Sequence, residues 1–246
     1  MAIRPWLMCC NKEGTDAGQK KVNAVIHSQE KLAEGIYSMW LDAPEMAEAA
    51  VPGQFIAVYT NDPSKLLPRP ISICEADKEN GRLRIVYRIA GAGTKEFSEC
   101  KAGDTLDIMG PLGNGFPLKK KKAFLIGGGI GIPPMLELAK NLDCEKTAVI
   151  GYRDQETFLA DELRKYADVV IATEDGSVGT KGNVIDAIRA EKLTADIIYA
   201  CGPTPMLKAL KAYAMENGIE CYIPWKRRWR AGSVPVLAAY ATAKHR

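Results

Sequence analysis

The 246-residue sequence predicts two units in tandem, an antiparallel β-barrel over residues 20–118 and a doubly wound parallel α/β sheet over residues 119–223. Three observations predict it. Between Lys20 and Leu118, short runs of β-forming residues alternate with turn signals at barrel-like spacing. From Ala123 onward, apolar strand-length runs alternate with helix-length segments, the order of a parallel sheet with crossover helices. Where the two textures meet, Ala123-Phe-Leu-Ile-Gly-Gly-Gly-Ile-Gly-Ile-Pro-Pro-Met135 reads as a buried strand, a glycine turn and the start of a helix.

Taken in order, residues 1–19 show no clear period and are expected to be a loose leader outside the fold. The apolar stretch Pro5–Cys10 within them is too short for a signal-peptide core. Strands are expected at Lys21–His27, Ile36–Leu41, Gln54–Tyr59, Ile71–Glu75, Leu83–Ile89 and Thr105–Met109. Turns fall at Asp42-Ala-Pro44, Val51-Pro-Gly53, Asn61-Asp-Pro63 and Asn80-Gly81. One helix interrupts the barrel, with Thr94 as its expected N-cap. Gly110-Pro-Leu-Gly-Asn-Gly115 and the solvated run Lys119–Lys122 mark the boundary. Parallel strands are then expected at 123–126, 147–151, 168–172 and 196–200, and helices at 133–141, 156–166, 182–191 and 204–216.

Composition narrows the function. The net charge is +3, but residues 224–246 hold Lys226, Arg227, Arg228, Arg230, Lys244 and Arg246 without one acid, leaving residues 1–223 at −3. No general basic face for nucleic acid follows. No twenty-residue apolar run is present, so no membrane span is expected. Seven cysteines, at positions 9, 10, 74, 100, 144, 201 and 221, are odd in number and irregular in spacing. They argue for a reducing cytoplasm rather than a disulfide framework.

Ligands of such sheets lie at the carboxyl ends of the strands. There Gly127, Gly128, Gly129 and Gly131 lack the Cβ atoms that block a phosphate, and a helix N-terminus follows. A glycine turn serving tight packing alone is the competing reading. After the second parallel strand, Arg153 suits a 2′-phosphate and Asp154 an unphosphorylated ribose, with a surface salt bridge as the plain alternative. After the last stands Cys201-Gly-Pro203, where Cys201 lines a pocket rather than acting as nucleophile, since neither His27 nor His245 is placed as its base. In the barrel, Arg69-Pro-Ile-Ser72 combines a fixed cation with a hydroxyl, and Gly91-Ala-Gly-Thr94 places a glycine turn on a helix N-terminus, a second candidate anion site; taken singly, each pattern is more often an ordinary turn.

Arg69-Pro-Ile-Ser72, Val86-Tyr-Arg-Ile-Ala-Gly-Ala-Gly-Thr94, Gly127-Gly-Gly-Ile-Gly131 and Cys201-Gly-Pro203 together resemble the ferredoxin-NADP reductase superfamily. Glu174-Asp-Gly-Ser-Val-Gly-Thr-Lys-Gly-Asn-Val184 narrows the resemblance to the electron-transfer subunits of NAD-dependent dihydroorotate dehydrogenase, type B, over about residues 20–223. The resemblance implies that Arg69, Pro70, Ile71, Ser72, Val86, Tyr87, Arg88, Gly93 and Thr94 hold FAD. It implies that Gly127, Gly128, Gly129, Gly131, Asp154, Cys201, Gly202 and Pro203 hold NAD, the electron acceptor. No side chain is assigned a catalytic role, Ser72 and Cys201 standing nearest the flavin and the nicotinamide. It further implies a heterotetramer of two such subunits with two FMN-containing catalytic subunits, passing electrons through [2Fe–2S] and FAD to NAD+ in pyrimidine (UMP) synthesis. Two rival readings stand beside it: an NAD(P)H reductase subunit for a hydrogenase or ferredoxin, and a non-catalytic product whose basic tail binds a polyanion.

The resemblance stops at Ile223. The family continues into a [2Fe–2S] module opening with C-x4-C-x2-C, whereas this chain has no cysteine after Cys221 and so no metal ligands there. Codons for Pro224 to Ala241 can be chosen so that the adjacent frame reads Leu-Glu-Glu-Lys-Met-Ala-Cys-Gly-Ile-Gly-Ala-Cys-Leu-Gly-Cys-Val-Cys, with the family's spacing restored. The basic tail is therefore read as a frameshifted ending, with a solvated basic extension as the plain alternative. Sequencing the gene beyond the Ile223 codon is expected to show that string in the neighbouring frame; a frame without those cysteines overturns the reading.

Overall fold

The computed structural model describes residues 21–62 and 67–223, so the expected leader and basic tail lie outside the described residues. Strands β1 (Lys21–Ala33), β2 (Ile36–Asp42), β3 (Phe55–Val58), β4 (Arg69–Asp77), β5 (Arg82–Arg88) and β6 (Thr105–Leu112) close a barrel in the order β1-β2-β5-β4-β3-β6. Every pairing in it is antiparallel. Alternation sends Ile71, Ile73, Leu83, Ile85 and Tyr87 into its interior with Ile26, Met39, Leu41, Ile56 and Ile108. The opposite faces of β4 and β5 carry Ser72, Cys74, Arg84, Val86 and Arg88.

Three local readings change. β1 runs to Ala33 rather than His27, because it pairs first with β6 and then with β2, bending at register shifts between Ile26 and Ser28 and between Lys31 and Ala33. A short helix, α1 (Pro44–Ala49), stands where the Pro44 turn was expected, since proline opens a first helical turn equally well. Helix α2 (Ala92–Glu99) is capped at Gly91, not Thr94. The Thr94 hydroxyl sits one turn in and reaches back, accepting from Ala90 N at 2.8 Å and Gly91 N at 3.2 Å.

The second half is a six-stranded, wholly parallel sheet ordered β10-β9-β8-β7-β11-β12. Its strands are β7 (Ala123–Gly128), β8 (Lys146–Tyr152), β9 (Asp168–Thr173), β10 (Thr180–Lys181), β11 (Ile197–Cys201) and β12 (Glu220–Tyr222). Helices α3 (Pro133–Asn141) and α4 (Ala160–Leu163) pack with Leu125, Ile150 and Tyr199 on one face. Helices α5 (Val184–Ala190) and α6 (Thr204–Glu216) pack with Phe124, Val149 and Ile198 on the other. The sheet is doubly wound as predicted, and strand order reverses between β7 and β11. The helix expected over 156–166 shrinks to α4 because Leu159 takes φ 64° and the Tyr152 hydroxyl donates to Phe158 O at 2.6 Å, holding the preceding chain in a turn. β10 and β12 are too short to leave a period in the sequence. No helix among the described residues is long and apolar enough to cross a membrane.

The lysine run before β7 is more than a solvated stretch. Lys119 and Lys121 share Glu220 (2.6 and 3.4 Å), Lys120 meets Asp143 at 2.8 Å and Lys122 meets Glu145 at 2.6 Å. Beneath it, fully buried Tyr199 stacks on Tyr222 with ring centroids 5.5 Å apart and meets Phe116 edge-on. Its hydroxyl donates to Pro117 O at 2.7 Å and accepts from Lys119 N at 3.3 Å, tying the linker to β11. Replacing Tyr199 by Phe leaves both backbone groups short of a partner, and a loss of about 1–2 kcal/mol in unfolding free energy is expected. Urea titration measures it; an unchanged midpoint shows that the hydroxyl contributes nothing.

Candidate cofactor sites

The glycine turn sits at the strand-order reversal, where the end of β7 runs into a single 3-10 turn, Gly129–Gly131, and then α3. At three of its four glycines the missing Cβ makes room for this chain itself. A Cβ on Gly131 would stand 2.2 Å from Cys201 O, one on Gly128 2.6 Å from Met206 Sδ, and one on Gly127 2.8 Å from Ile132 Cα. Gly129 alone opens onto free space, at φ +51°. The turn is thus built against the Cys201-Gly-Pro203 loop, which follows β11 next door. Pro133 and Pro134 have no N–H, so donors offered to an anion here come from the turn rather than from the first turn of α3.

The loops after β8 and β9 are knitted together, Glu174 N donating to Tyr152 O and Asp175 N to Arg153 O, both at 3.2 Å. Arg153, Asp154, Glu174 and Asp175 all lie exposed on that edge. Asp154 Oδ1 accepts from Glu156 N at 2.9 Å. Asp175 accepts from the Ser177 backbone and hydroxyl, which hold its carboxyl below the usual range. Much of the Glu174–Val184 motif is structural: Thr173 Oγ1 donates to Val178 O at 2.7 Å, and Asn183 caps α5.

In the barrel the structure merges two features that are 24 positions apart in the chain. The Arg69 guanidinium, at the start of β4, lies over Gly93 in the first turn of α2, so close that a Cβ there would be 2.6 Å from Nε. Arg69 Nη1 also donates to Leu67 O. Pro70 is exposed and Ser72 half-buried on the outer face of β4; Arg88 is exposed at the end of β5. Val86 is buried against the second half of the molecule. Ile71 and Tyr87 turn their side chains into the barrel instead. Tyr87 donates its hydroxyl to Gln29 Oε1 at 2.8 Å, and burial pushes its pKa well above the usual phenol range. Gln29 in turn donates to Phe97 O at 3.1 Å and Cys100 O at 2.9 Å, closing the C-terminal end of α2. Nothing in the sequence around Gln29 announces that part.

These surfaces fit extended dinucleotides: an arginine against a glycine-opened helix start on the barrel, and a glycine-opened turn with polar ribose-level groups on the sheet. Among the described residues no group of three or more His, Cys, Asp or Glu side chains is placed to hold a metal. Cys74 and Cys221 lie buried in two separate apolar cores.

Comparison with known proteins agrees with this geometry. Residues 23–116 match the oxidoreductase FAD-binding domain family. The electron transfer subunit of dihydroorotate dehydrogenase B (NAD(+)) from Geobacillus sp. (strain WCH70) is 40% identical over 223 residues, covering 87% of this chain and 85% of that one. Its counterpart from Streptococcus mutans serotype c is 42% identical over 234 residues, covering 92% and 88%. The solved structure of an NADH-dependent reduced ferredoxin-NADP oxidoreductase superposes with a TM-score of 0.77 at 30% identity, covering 88% of this chain and 80% of that one. Barrel, parallel sheet and matches together define a flavin-linked oxidoreductase. Within that class the chain belongs to the family of electron transfer subunits of dihydroorotate dehydrogenase B (NAD(+)).

The packing around the glycine turn gives a ranking that stability measurements can check. Gly131→Ala forces a methyl into the Cys201 carbonyl and is expected to cost about 1–3 kcal/mol or more. Gly129→Ala meets no atom within 4 Å and carries only the left-handed backbone penalty of about 1–2 kcal/mol. Denaturant unfolding of both variants should rank Gly131→Ala as the more damaging; the reverse order refutes the packing argument.

Proposed function

We propose that residues 20–118 hold FAD and residues 119–223 hold NAD, making the chain the flavoprotein that exchanges electrons between a dihydroorotate-oxidising catalytic subunit and NAD+. The observation that carries this reading is the approach of Arg69 to Gly93. A permanent, planar cation beside the opening turn of a helix is a site for a pyrophosphate.

On this reading Arg69 and the backbone at Gly93 and Thr94 bind the flavin's phosphates. Pro70, Ser72 and Arg88 present the face on which the ring system rests, with Ser72 the hydroxyl nearest its edge, while Val86, its side chain buried against the second half, contributes backbone. Ile71 and Tyr87 contribute backbone there, because their side chains fill the barrel. The open amides around Gly129 take the pyridine nucleotide's phosphates, with Gly127, Gly128 and Gly131 shaping the turn. Cys201, Gly202 and Pro203 wall the nicotinamide end. Asp154 accepts from the adenosine ribose, and the exposed carboxylates of Glu174 and Asp175 beside it disfavour a 2′-phosphate, selecting NAD over NADP. Bound FAD supplies the redox chemistry, a two-electron exchange with nicotinamide and single-electron exchange with a metal centre. The protein supplies position and charge.

The partner on this reading is the FMN-containing dihydroorotate dehydrogenase catalytic subunit, in a heterotetramer of two and two serving pyrimidine synthesis. Residues 224–246 as written hold no cysteine, so they provide no thiolate ligands for the cluster that joins the two flavins. The purified chain is expected to show flavin absorbance without stoichiometric iron or acid-labile sulfide. NADH should bleach the flavin bands, while dihydroorotate plus the catalytic subunit should not reduce NAD+ through this polypeptide. Arg69→Ala is expected to weaken FAD binding on the order of ten- to a hundredfold, the worth of a charge-assisted contact. A colourless chain that takes up no FAD rejects the proposal, and normal coupled turnover rejects the broken relay.

A further inference from the structure

The two halves of the molecule meet along β4, β5, α3 and α4, and that contact holds charges that no cofactor site uses. Arg84 on β5 has a side chain only 6% exposed. Its Nε donates to Ser38 Oγ at 2.9 Å, and Nη1 and Nη2 engage both carboxylate oxygens of Glu162 on α4, the Nη2 bond at 3.1 Å. Glu75 on β4 lies 3.5 Å from Nη1 and Glu30 on β1 lies 3.6 Å from Nη2. Glu75 also pairs with Lys140 on α3 at 2.6 Å. One turn earlier on α3, buried Glu137 accepts from Ala76 N of β4 at 3.0 Å and from Asn141 Nδ2 at 2.9 Å.

Apart from these groups and the Glu34 amide, which donates to the Glu156 carboxylate at 3.2 Å, the contact is largely apolar: Ala33, Cys74, Val86 and Phe116 join the core of the parallel sheet's α3–α4 face. Apolar contact is non-directional and tolerates sliding; a forked Arg–carboxylate pair and a carboxylate on a backbone amide do not. The elements so pinned are the ones that matter. β4 begins at Arg69, and α3 begins at the glycine turn. We propose that Arg84, Glu162 and Glu137 are positioning residues, an ionic seam holding β4 and α3 in one register so that flavin and nicotinamide, when bound, meet at reacting distance. This rests on the FAD and NAD reading above.

The test uses the full chain with FAD, comparing Glu162→Ala, Glu162→Gln and Glu137→Gln with the parent. Hydrogen exchange at the Ala76 amide reports the seam directly, because that amide's acceptor is Glu137. Stopped-flow reduction by saturating NADH reports its consequence. Flavin content should stay at the parent level. Ala76 exchange should quicken by about tenfold or more, as local opening becomes easier. The reduction rate should fall on the order of ten- to a hundredfold with little change in the NADH concentration needed, the signature of misplacement. Glu162→Gln keeps a hydrogen bond and should lie between parent and Glu162→Ala; if Glu162→Ala does not fold, Glu162→Gln carries the comparison. Parent-like exchange and rates in the folded variants overturn the proposal, as does loss of flavin from them. If NADH fails to reduce the parent, the cofactor reading fails, and the exchange data still decide whether the seam exists.

Discussion

The Cys201 carbonyl lies where a β-carbon on residue 131 would be, 2.2 Å from the ideal position. That approach brings the turns after β7 and β11 into backbone contact across the point where the strand order reverses. It sets where α3 starts, and the direction of β7 sets where α3 points. α3 then runs along β4 of the barrel, with Glu137 against the Ala76 amide. The orientation of one half on the other therefore depends on packing at this turn together with the polar contacts that α3 and α4 make to the barrel. Most side chains with a β-carbon at that position would push the two loops apart and change the angle of the helix that joins the halves.

A second chain of dependence runs through the barrel. Arg69 lies against Gly93 because α2 is held at its other end by Gln29, which bonds two of its last carbonyls and takes the Tyr87 hydroxyl. Tyr87 stands between Tyr37, stacked at 6.0 Å, and Phe97, edge-on at 6.0 Å, so the strut is packed on both sides. α2 is thus set by its C-terminal anchor as well as by its own cap, where the Thr94 hydroxyl is already committed to the backbone of Ala90 and Gly91.

What could be read in the sequence follows from where periodicity and turn chemistry carry information. The barrel strands, the central parallel strands and the bounds of α3 and α6 were legible, because long alternations and Pro-led helix starts are local signals. α1, β10 and β12 were not, being only six, two and three residues long. At the sites, Arg69, Gly93 and the glycine turn were legible as residue types, but their mutual contacts were not, since those depend on barrel closure and sheet order. Gln29, Arg84, Glu137 and Glu162 left almost no mark. The one available cue was Arg84 between Leu83 and Ile85 inside β5, a charge that a strand buries only when it has partners.

Several residues that gave the sequence its recognisable motifs are consumed by the protein's own architecture. Tyr87 fills the barrel, Thr94 closes a helix end, Gly128 and Gly131 admit neighbouring loops, and Val178, bonded to Thr173, and Asn183 fold the β9–α5 connection. What remains at least partly exposed is mostly backbone, together with a few charges: Arg69 and Arg88 on the barrel, and Arg153, Asp154, Glu174 and Asp175 on the sheet edge. The barrel's charges named here are both cations, whereas carboxylates outnumber the single arginine on the sheet edge. On the proposed reading, a phosphate-rich ligand is drawn to the barrel's arginine, while the carboxylates of the sheet edge oppose an extra phosphate at ribose level. Shape made by motif residues and selectivity made by a handful of exposed charges are therefore separable, and substitutions in the two groups should fail differently: the first in stability, the second in affinity and choice of nucleotide.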